Sequence, residues 1–413
     1  MPKQMTRKQR ITTAARCQQP DRVPVSPMVF PFLRKRYGRR SWEYELKGAL
    51  EYDFDPIIHL ICYDGPPVHN NIRFLNGNYV YEGRAYFEDM APGISVDLHI
   101  ERQKDSTLVK RVIQTPAGEL RDVVRQPLIT SARYSGSSLF SGIRGFWGQP
   151  ERIERLVKGP EDLEKIRFLL TKPTTAELVC IRRISEAVGE NGLVQVDCWS
   201  PLDEYAEYAI GLEALPDICR NDPHFFGAIL ELFWEYSLEM TRAYLEAGAE
   251  SIDACWLACG ESSGWAPQEF RTIFLPVLRQ HVELAHEYGA IYDYLDEGKL
   301  NNLLPMIKDA GVDIVHTLSP PPRGDVDLTV AKRDIGGRVC LRGNLDSEGE
   351  LLTGTPAQVD EAVRQVILSA GPGGGFILGC SDTISADMPE DNVQAFFHAG
   401  RKYGDYDRLG KPS

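Results

Sequence analysis

Short apolar runs recur along the chain and are separated by segments with the periodicity of amphipathic helices. The runs that we predict to be strands end near Phe30 or cover residues 54–62, 194–198, 251–255, 290–294, 314–317, 339–341 and 376–378. Strands that alternate with helices form parallel sheets, and no glycine-rich dinucleotide fingerprint follows the first run. Eight such strands therefore predict an α/β fold of the (β/α)8 TIM-barrel type rather than a doubly wound sheet.

Residues 65–138 interrupt this alternation. Val80, Ile100 and Val112 belong to short β-like pieces, and the Thr115 to Leu120 segment predicts a hairpin turn between two of them. We expect an antiparallel β insertion after the second strand, which forms a lid over one mouth of the barrel. The whole chain, residues 1–413, is then a single barrel domain with this insertion.

Composition excludes several classes of function. The formal net charge of −13 and the lack of a basic stripe argue against a nucleic-acid partner. No run approaches the ~18 apolar residues of a membrane helix, and the polar N-terminus lacks the apolar core of a signal peptide. Nine cysteines without close spacing fit reduced thiols better than a disulfide framework. We therefore expect a cytoplasmic protein without a membrane partner, with a homodimer as a possible assembly.

In a parallel barrel the active site is built from residues just beyond the carboxyl ends of the strands. Polar and aromatic residues follow the predicted strands at these places. They are Asp197, Trp199, Asp203, Trp256, Cys259, Glu261, Tyr294, Asp296, Glu297, His316, Arg342, Asn344, Asp346, Ser381 and Asp382. Packing or capping explains any single member, so the prediction rests on the group. His59 lies inside an apolar run and is predicted to be a core residue.

The stretch from Gly371 to Gly404 combines a strand-like run, a polar turn and a helix, which Asp387 or Asp391 is expected to cap. The FILG run, the proline at 389, the Asp-Asn-Val at 391–393 and the Arg-Lys-Tyr-Gly at 401–404 resemble the C-terminus of the uroporphyrinogen decarboxylase superfamily. Pro-Asp-Arg-Val-Pro-Val at 20–25, Leu-Arg-Gly-Asn-Leu-Asp at 341–346 and the segment 253–261 with Pro267 and Phe270 are similar to further segments of that superfamily.

The resemblance implies two enzymatic activities, because the superfamily includes cobalamin-dependent methyltransferases as well as the haem-pathway decarboxylase. Its thiol-methylating members hold zinc with a His-x-Cys-Gly motif and a later cysteine. Matching Gly298 to that glycine puts Leu295 and Glu297 at the histidine and cysteine positions, and Asp382 at the final cysteine position. The resemblance therefore does not support a Cys/His zinc site, although a shift of one residue would bring in Cys380, with Cys259 or His316 beside it.

Two acidic residues, Glu297 and Asp382, occupy the positions of the two zinc-binding cysteines instead. Two carboxylates in a closed pocket raise the pKa of one of them, which makes an acid that donates a proton at neutral pH. Glu297 and Asp382 could also hold a divalent metal such as zinc through oxygen ligands. We predict a corrinoid-linked methyltransferase that moves methyl from a methoxy compound or a methylamine to a cobalamin on a partner protein, because this chain shows no cobalamin-binding loop of its own. The predicted catalytic residues are Glu297, Asp382, His316 and Asp197, and the predicted substrate-binding residues are Trp199, Trp256, Tyr294, Arg342, Asn344 and Ser381.

Two alternatives stay open. A uroporphyrinogen or related small-acid decarboxylase could use Asp197, Tyr205 or Tyr294, but the arginine loop that grips substrate carboxylates in that family is replaced by a segment with Arg34, Arg36, Arg39 and Arg40 in a different pattern. A non-catalytic barrel that binds a small molecule is the other alternative. It predicts a pocket without carboxylates close to one another.

Overall fold

A computed structural model describes residues 4–39, 41–60, 93–127, 151–170, 172–203, 205–407 and 409 of the chain. Seven strands form one parallel sheet in the order β1, β6, β7, β8, β9, β10, β11. Their bounds are β1 Ile57–His59, β6 Leu193–Trp199, β7 Ser251–Cys255, β8 Ile291–Asp296, β9 Ile314–Thr317, β10 Cys340–Leu345 and β11 Phe376–Cys380. The positions of the predicted strands are thereby confirmed to within a few residues.

A short extended segment around Val25 closes the sheet into a ring. It forms a parallel bridge with Leu378 of β11, whose carbonyl accepts a hydrogen bond from the Ser26 N–H at 2.8 Å. On its other side, the Asp55 N–H donates to the Val25 carbonyl at 2.8 Å, just before β1. This segment takes the place of the eighth strand of the barrel. The predicted (β/α)8 architecture is confirmed.

The interior of the barrel is apolar at the end where the strands begin. One buried cluster joins the first inward residue of six strands to helix α1 (Arg7–Ala15), whose Ile11 and Ala14 lie against it. The six strand residues are Ile57, Leu193, Ile291, Ile314, Cys340 and Ile377. Helix α1 begins at the N-cap Thr6, whose side chain accepts from the Gln9 N–H, and it seals this end of the barrel.

Buried ion pairs fix helix α1 to Asp55, which lies just before β1. Asp55 is fully buried, and its carboxylate accepts from the Arg10 guanidinium at 2.5 Å and from Arg22 at 2.7 Å. The same carboxylate accepts from the Val25 N–H at 3.1 Å. Removing one partner of such a buried pair leaves an uncompensated charge, so this contact couples α1 to the closure of the barrel.

Helices cover the outside of the barrel between the strands. In chain order they are α2 Phe30–Tyr37, α3 Trp42–Tyr52, α4 Pro160–Arg167, α5 Thr175–Val188, α6 Tyr205–Ile210, α7 Leu215–Asn221, α8 Pro223–Glu246, α9 Leu275–Glu287, α10 Leu304–Ala310, α11 Leu328–Asp334, α12 Glu350–Thr353, α13 Pro356–Ala370 and α14 Glu390–Tyr403. A π-helical segment, Phe270–Phe274, joins a helical turn at Pro267–Glu269 to α9. Within the described ranges, no helix combines the length and the apolar character that crossing a bilayer requires.

Helix α14 begins differently from the prediction. Its N-cap is Pro389, which has no side chain to accept a hydrogen bond, and Asp391 lies within the first turn. Asp387 instead accepts from the Ser385 hydroxyl at 2.5 Å. The predicted cap by Asp387 or Asp391 is therefore wrong, because the helix begins at Glu390, two residues before Asn392, with Pro389 at the N-cap position.

A four-stranded antiparallel sheet lies between β1 and β6 in the chain. Its strands are β2 Ser95–Arg102, β3 Ser106–Thr115, β4 Gly118–Pro127 and β5 Glu151–Glu154, paired in that order. The hairpin predicted at 115–120 is present, and β5 extends the sheet beyond the predicted boundary at residue 138. Ile113 and Leu120 join the main hydrophobic core of the barrel. Residues 65–92 and 128–138 of the predicted insertion lie outside the described residues, and its role as a lid stays a prediction.

Candidate functional site

A layer of charged side chains lies inside the barrel above the apolar cluster. Side chains alternate along a strand, so the residue two positions after an inward residue also points inward. Two positions after the apolar residues of β1, β6, β8, β9 and β10 come His59, Gln195, Asp293, His316 and Arg342, and β7 adds Asp253. All six are buried. Charged groups in such a place are stable only when their charges are balanced by neighbours.

Asp293 is the centre of one half of this layer. Its carboxylate accepts from His316 Nδ1 at 2.7 Å, from the Arg342 guanidinium at 2.9 Å and from the Gln195 amide at 3.1 Å. Burial alone would raise the pKa of Asp293, but His316 and Arg342 together lower it below its ordinary value. Arg342 also donates to the Ser26 carbonyl at 3.1 Å. This half of the layer is a network of ion pairs, in which Gln195 Oε1, His316 Nε2 and Arg342 Nη2 have no hydrogen-bond partner among the described residues.

The other half joins His59 to two aspartates. His59 Nδ1 lies 3.1 Å from Asp253 Oδ2 and 3.7 Å from Asp197 Oδ1. Burial lowers the pKa of His59, but the two carboxylates outweigh it and raise the pKa to about 10. His59, Asp197 and Asp253 come from three neighbouring strands, β1, β6 and β7. The parallel pairing of these strands therefore brings together three groups that are far apart in sequence.

Glu297 lies at the mouth of the barrel, directly after β8. It is only 7% exposed, and its Oε1 has no hydrogen-bond partner among the described residues. Burial and the negative charge of Asp382 raise the pKa of Glu297 well above its ordinary value, against the opposing charge of Arg323. These surroundings favour the protonated form of Glu297.

Asp382 and Arg323 complete this mouth site. Asp382 follows β11, and its Oδ2 lies 3.9 Å from the Arg323 guanidinium, which follows β9. Burial raises the pKa of Asp382, while hydrogen bonds from Thr383 and the charge of Arg323 limit the rise. Arg323 also lies 3.4 Å from Glu348 and donates to the Ser347 hydroxyl at 3.3 Å. The loops after four successive strands thus supply one group of acid and guanidinium side chains.

A second acidic group consists of Asp203, in the loop after β6, and Asp296, the last residue of β8. Asp203 accepts from the Ala258 N–H at 2.9 Å and from the Cys255 thiol at 3.5 Å, and Ser200 donates to its other oxygen. Burial and the nearby Asp203 raise the pKa of Asp296 well above its ordinary value. Because backbone N–H groups and hydroxyls already satisfy much of this group, it supports the loops around the mouth.

The predicted substrate-binding residues fall on two faces of the strands. Trp199 and Asn344 follow the inward alternation of β6 and β10, and Asn344 donates to the Leu318 carbonyl at 3.1 Å. The Ser381 hydroxyl accepts from the Ser347 N–H at 3.2 Å, beside Arg323. These three lie near the mouth, and their role toward substrate stays a prediction.

Trp256 and Tyr294 lie together on the outer side of the sheet. Their rings are stacked with centroids 6.0 Å apart, and the Trp256 indole donates to the Tyr292 hydroxyl at 2.9 Å. That hydroxyl contacts His281 Nδ1 of α9 at 2.9 Å. Both residues are fully buried between β8 and its covering helix. The structure therefore places them with packing groups, away from His316 and Arg342.

Some residues of the charged layer lie close enough together to bind a metal ion. Two groups of three potential ligands have donor atoms that all lie within 4.8 Å of one another in the described part of the chain: His59, Asp197 and Asp253, and Asp253, Asp293 and His316. Glu297 and Asp382 form no such group with a third ligand among the described residues, and neither do Cys259 and Cys380. Cys259 contacts the Ser200 hydroxyl at 3.2 Å, and burial raises the pKa of both thiols.

Sequence reasoning missed three members of the charged layer. His59 was expected to be a core residue, and neither Asp253 nor Asp293 was among the predicted site residues. An available signal was that each aspartate interrupts an otherwise apolar strand in its middle. Only the pairing of β1 with β6 and of β7 with β8 reveals that the residues contact one another.

Comparison with known proteins shows which family this chain is similar to. The model of the family described as uroporphyrinogen decarboxylase (URO-D) matches residues 148–403, which is more than half of the chain. The uroporphyrinogen decarboxylase of Psychromonas ingrahamii is 24% identical over 178 residues, which cover 43% of this chain and 48% of that protein. The one of Actinobacillus pleuropneumoniae serotype 5b is 31% identical over 193 residues, covering 44% and 49%. The chain spans about half the length of these curated relatives.

A solved structure resembles nearly the whole chain. A methyltransferase from Methanosarcina mazei superposes with a TM-score of 0.59 and 17% sequence identity, covering 97% of this chain and 99% of that protein. At this identity the likeness establishes a shared fold, and the family model establishes descent for the segment from 148 to 403. The chain belongs to the uroporphyrinogen decarboxylase family.

Proposed function

We propose that the protein is a methyltransferase that moves a methyl group from a small methoxy compound to a corrinoid carried by a partner protein. The observation that carries the proposal is Glu297, a buried acid with an unpartnered Oε1 at the mouth of the barrel. The fold likeness to a methyltransferase over the whole chain supports the same reaction class. The curated relatives match only half their length, so their activity does not transfer directly.

The chemistry of a methyl ether explains the need for such an acid. Cobalt(I) of the corrinoid supplies the electron pair that takes the methyl carbon. The bond between carbon and oxygen breaks, its electron pair stays on the oxygen, and the proton of Glu297 moves to that oxygen to give an alcohol. An alkoxide leaves poorly without this proton, so general acid catalysis contributes roughly 100- to 10,000-fold to the rate.

The neighbours of Glu297 suit both the donation of its proton and its later reprotonation. Asp382 helps to keep Glu297 protonated before the reaction, because its negative charge opposes the loss of the proton. After the transfer, the Arg323 guanidinium stabilises the glutamate that has formed. The Asp382 side chain is 15% exposed and offers a route by which solvent returns the proton. Trp199, Asn344 and Ser381 are the proposed contacts that orient the substrate.

The charged layer has a supporting place in this proposal. Asp293 accepts from His316 Nδ1 and from Arg342, which fixes the orientation of both side chains. Asp197 lies beside His59 in the same part of the barrel. We therefore assign the proton transfer to Glu297 and Asp382, and a positioning role to His316 and Asp197.

A single-turnover optical assay tests the proposal. The protein is mixed anaerobically with a cobalt(I) corrinoid protein and a panel of methoxylated aromatics, methylamines and glycine betaine. Loss of the cobalt(I) absorption band with a methoxylated compound, and formation of the matching alcohol, supports the proposal. Reaction with a quaternary amine alone contradicts the role of the acid, since no oxygen then needs a proton.

Decarboxylation of a tetrapyrrole or a related small acid is the second candidate, because the curated relatives carry that name. Such a substrate needs several cationic side chains, yet Arg323 and Arg342 at the barrel interior are already paired with carboxylates. Arg36 lies on the surface, where it pairs with Glu51 and Glu390. Release of carbon dioxide from uroporphyrinogen, with no methyl donor active, would establish this second function.

A further inference from the structure

We propose that His59, Asp197 and Asp253 bind one divalent transition-metal cation inside the barrel, as a site separate from the mouth that contains Glu297. The three residues lie on adjacent strands and are 2%, 6% and 1% exposed. They supply one imidazole nitrogen and two carboxylate oxygens. Imidazole suits zinc and iron, and carboxylate suits manganese, so the ligand set fits Zn²⁺ or Mn²⁺.

Unpartnered donor atoms distinguish this group from an ordinary ion pair. Although His59 Nδ1 lies 3.1 Å from Asp253 Oδ2, neither ring nitrogen of His59 and neither carboxylate oxygen of Asp253 meets the geometry of a hydrogen bond within the described residues. Burying polar atoms without well-formed hydrogen bonds destabilises the fold, and the cost is larger for charged groups. A cation that accepts their lone pairs removes this cost.

The distances suit coordination by a single ion. Two ligands that each lie about 2.1 Å from a cation are roughly 3.0 to 3.4 Å apart. His59 Nδ1 is 3.1 Å from Asp253 Oδ2 and 3.7 Å from Asp197 Oδ1. The His59–Asp253 distance already fits this range, a shift of a few tenths of an ångström brings in the His59–Asp197 distance, and the donor atoms of all three residues lie within 4.8 Å of one another.

The other group of potential ligands does not suit a cation. His316 Nδ1 is bound to Asp293 Oδ1 at 2.7 Å, and the second Asp293 oxygen accepts from Arg342 and Gln195. A cation bound through Asp293 would compete with these bonds, and His316 Nε2 is the one nitrogen of that ring without a partner in the described part of the chain. Asp253 Oδ1 is 3.8 Å from His316 Nδ1, beyond hydrogen-bond distance, so Asp253 remains available to the first group.

Charge balance supports a divalent cation. The layer contains the carboxylates of Asp197, Asp253 and Asp293 and the guanidinium of Arg342. The three carboxylates and the guanidinium by themselves sum to two negative charges in an interior that tolerates little net charge. One divalent cation neutralises them. The cation would also tie the three-residue strand β1 to β6 and β7.

Metal titration of the full-length protein tests the site. The protein is treated with EDTA, dialysed and titrated with Mn²⁺, with electron paramagnetic resonance measuring the free ion, and in parallel with Zn²⁺ by calorimetry. We expect one equivalent to bind. At a free-metal concentration one hundred times Kd, Tm should rise by about 3 °C for a chain of this length.

Two variants locate the binding. Loss of a direct ligand should weaken affinity by at least about 100-fold, since loss of a mere outer-shell partner costs 10- to 100-fold. Asp253→Asn and His59→Gln should both have this effect, and either suffices if the other does not fold. Asp313→Asn, at a partly exposed carboxylate that pairs with His286, and Glu297→Gln, at the mouth, should bind metal as the wild type does.

Two results would overturn the proposal. One is a folded wild-type protein that takes up no Mn²⁺ or Zn²⁺ and shows no rise in Tm, which would mean that a proton on His59 alone balances the carboxylates. The other is stoichiometric binding that persists in both ligand variants, which would place the metal elsewhere. Neither result depends on methyl transfer, so the proposed function and this site can fail independently.

Discussion

Replacing Glu297 with glutamine removes the proton that the proposed reaction needs while keeping the size of the side chain. Glu297 is buried, and its pKa is raised well above the ordinary value by burial and by Asp382. The raised pKa favours the neutral carboxyl in the wild type, and the glutamine side chain is neutral at every pH. The variant changes the acidity of the group without introducing or removing a buried charge.

The expected effect on rate follows from the role of the acid. General acid catalysis contributes roughly 100- to 10,000-fold, so single-turnover methyl transfer should slow by that factor, which is about 2.7 to 5.5 kcal/mol of activation free energy. Stability should change by less than about 1 kcal/mol at pH 5, where the carboxyl is protonated in the folded protein and an amide of the same shape replaces it.

The pH dependence of stability gives an independent check on the same residue. Between the unfolded and the raised folded pKa, the folded protein holds a proton on Glu297 that the unfolded chain has lost. The free energy of unfolding of the wild type therefore falls as pH rises through this window. Glutamine does not titrate, so Glu297→Gln should be more stable relative to wild type at pH 8 than at pH 5, as measured by urea unfolding.

The assay compares three proteins. Wild type, Glu297→Gln and Glu361→Gln are mixed with the cobalt(I) corrinoid protein and the active methoxy donor, and loss of the cobalt(I) band is followed. Glu361 lies on the exposed face of α13 in a pair with Arg364, so its variant controls for the chemical change alone. Methyl transfer by Glu297→Gln within threefold of the wild-type rate would refute the assignment of Glu297 as the acid.

Three further predictions concern buried ionisable groups. Asp382→Asn removes a negative charge that raises the pKa of Glu297, so the alkaline limb of the rate against pH should move to lower pH, and an unchanged limb would contradict the coupling. Asp55→Asn breaks the buried contact with Arg10 and should lower the free energy of unfolding in urea by about 3–5 kcal/mol, whereas a loss below about 1 kcal/mol would contradict its role in closing the barrel. Burial lowers the pKa of His281 to about 3, so its ring should stay neutral by NMR from pH 8 to 5. Because the unfolded chain takes up that proton below about pH 6.5, the same burial should destabilise the fold as pH falls, and a ring that titrates near 6.5 would refute it.

Much of the barrel could be predicted from sequence because its determinants are local. The apolar runs have the length of buried strands, and the helical patterns between them exclude a meander. The same local reasoning predicted the 115–120 hairpin, which the structure contains. It failed at the start of α14, where Pro389 begins the helix although Asp387 and Asp391 offered the usual capping side chains.

The candidate site was predictable only in part. Barrel geometry pointed to Glu297 and Asp382 because each follows the end of a strand. The same rule selected Trp256 and Tyr294, which lie against α9 on the outer side of the sheet. Their direction depends on the phase of side-chain alternation, and one residue of difference reverses it.

The sequence by itself determined the order of strands and helices, the family and the acidic character of the positions after two strands. Tertiary structure alone decided which charges meet. His59 and Asp253 are 194 positions apart in the sequence. The pairing of β1, β6 and β7 brings His59 Nδ1 to 3.1 Å from Asp253 Oδ2. Burial then sets the protonation of Glu297, because desolvation of a carboxylate depends on all the atoms that surround it and no local pattern encodes that environment.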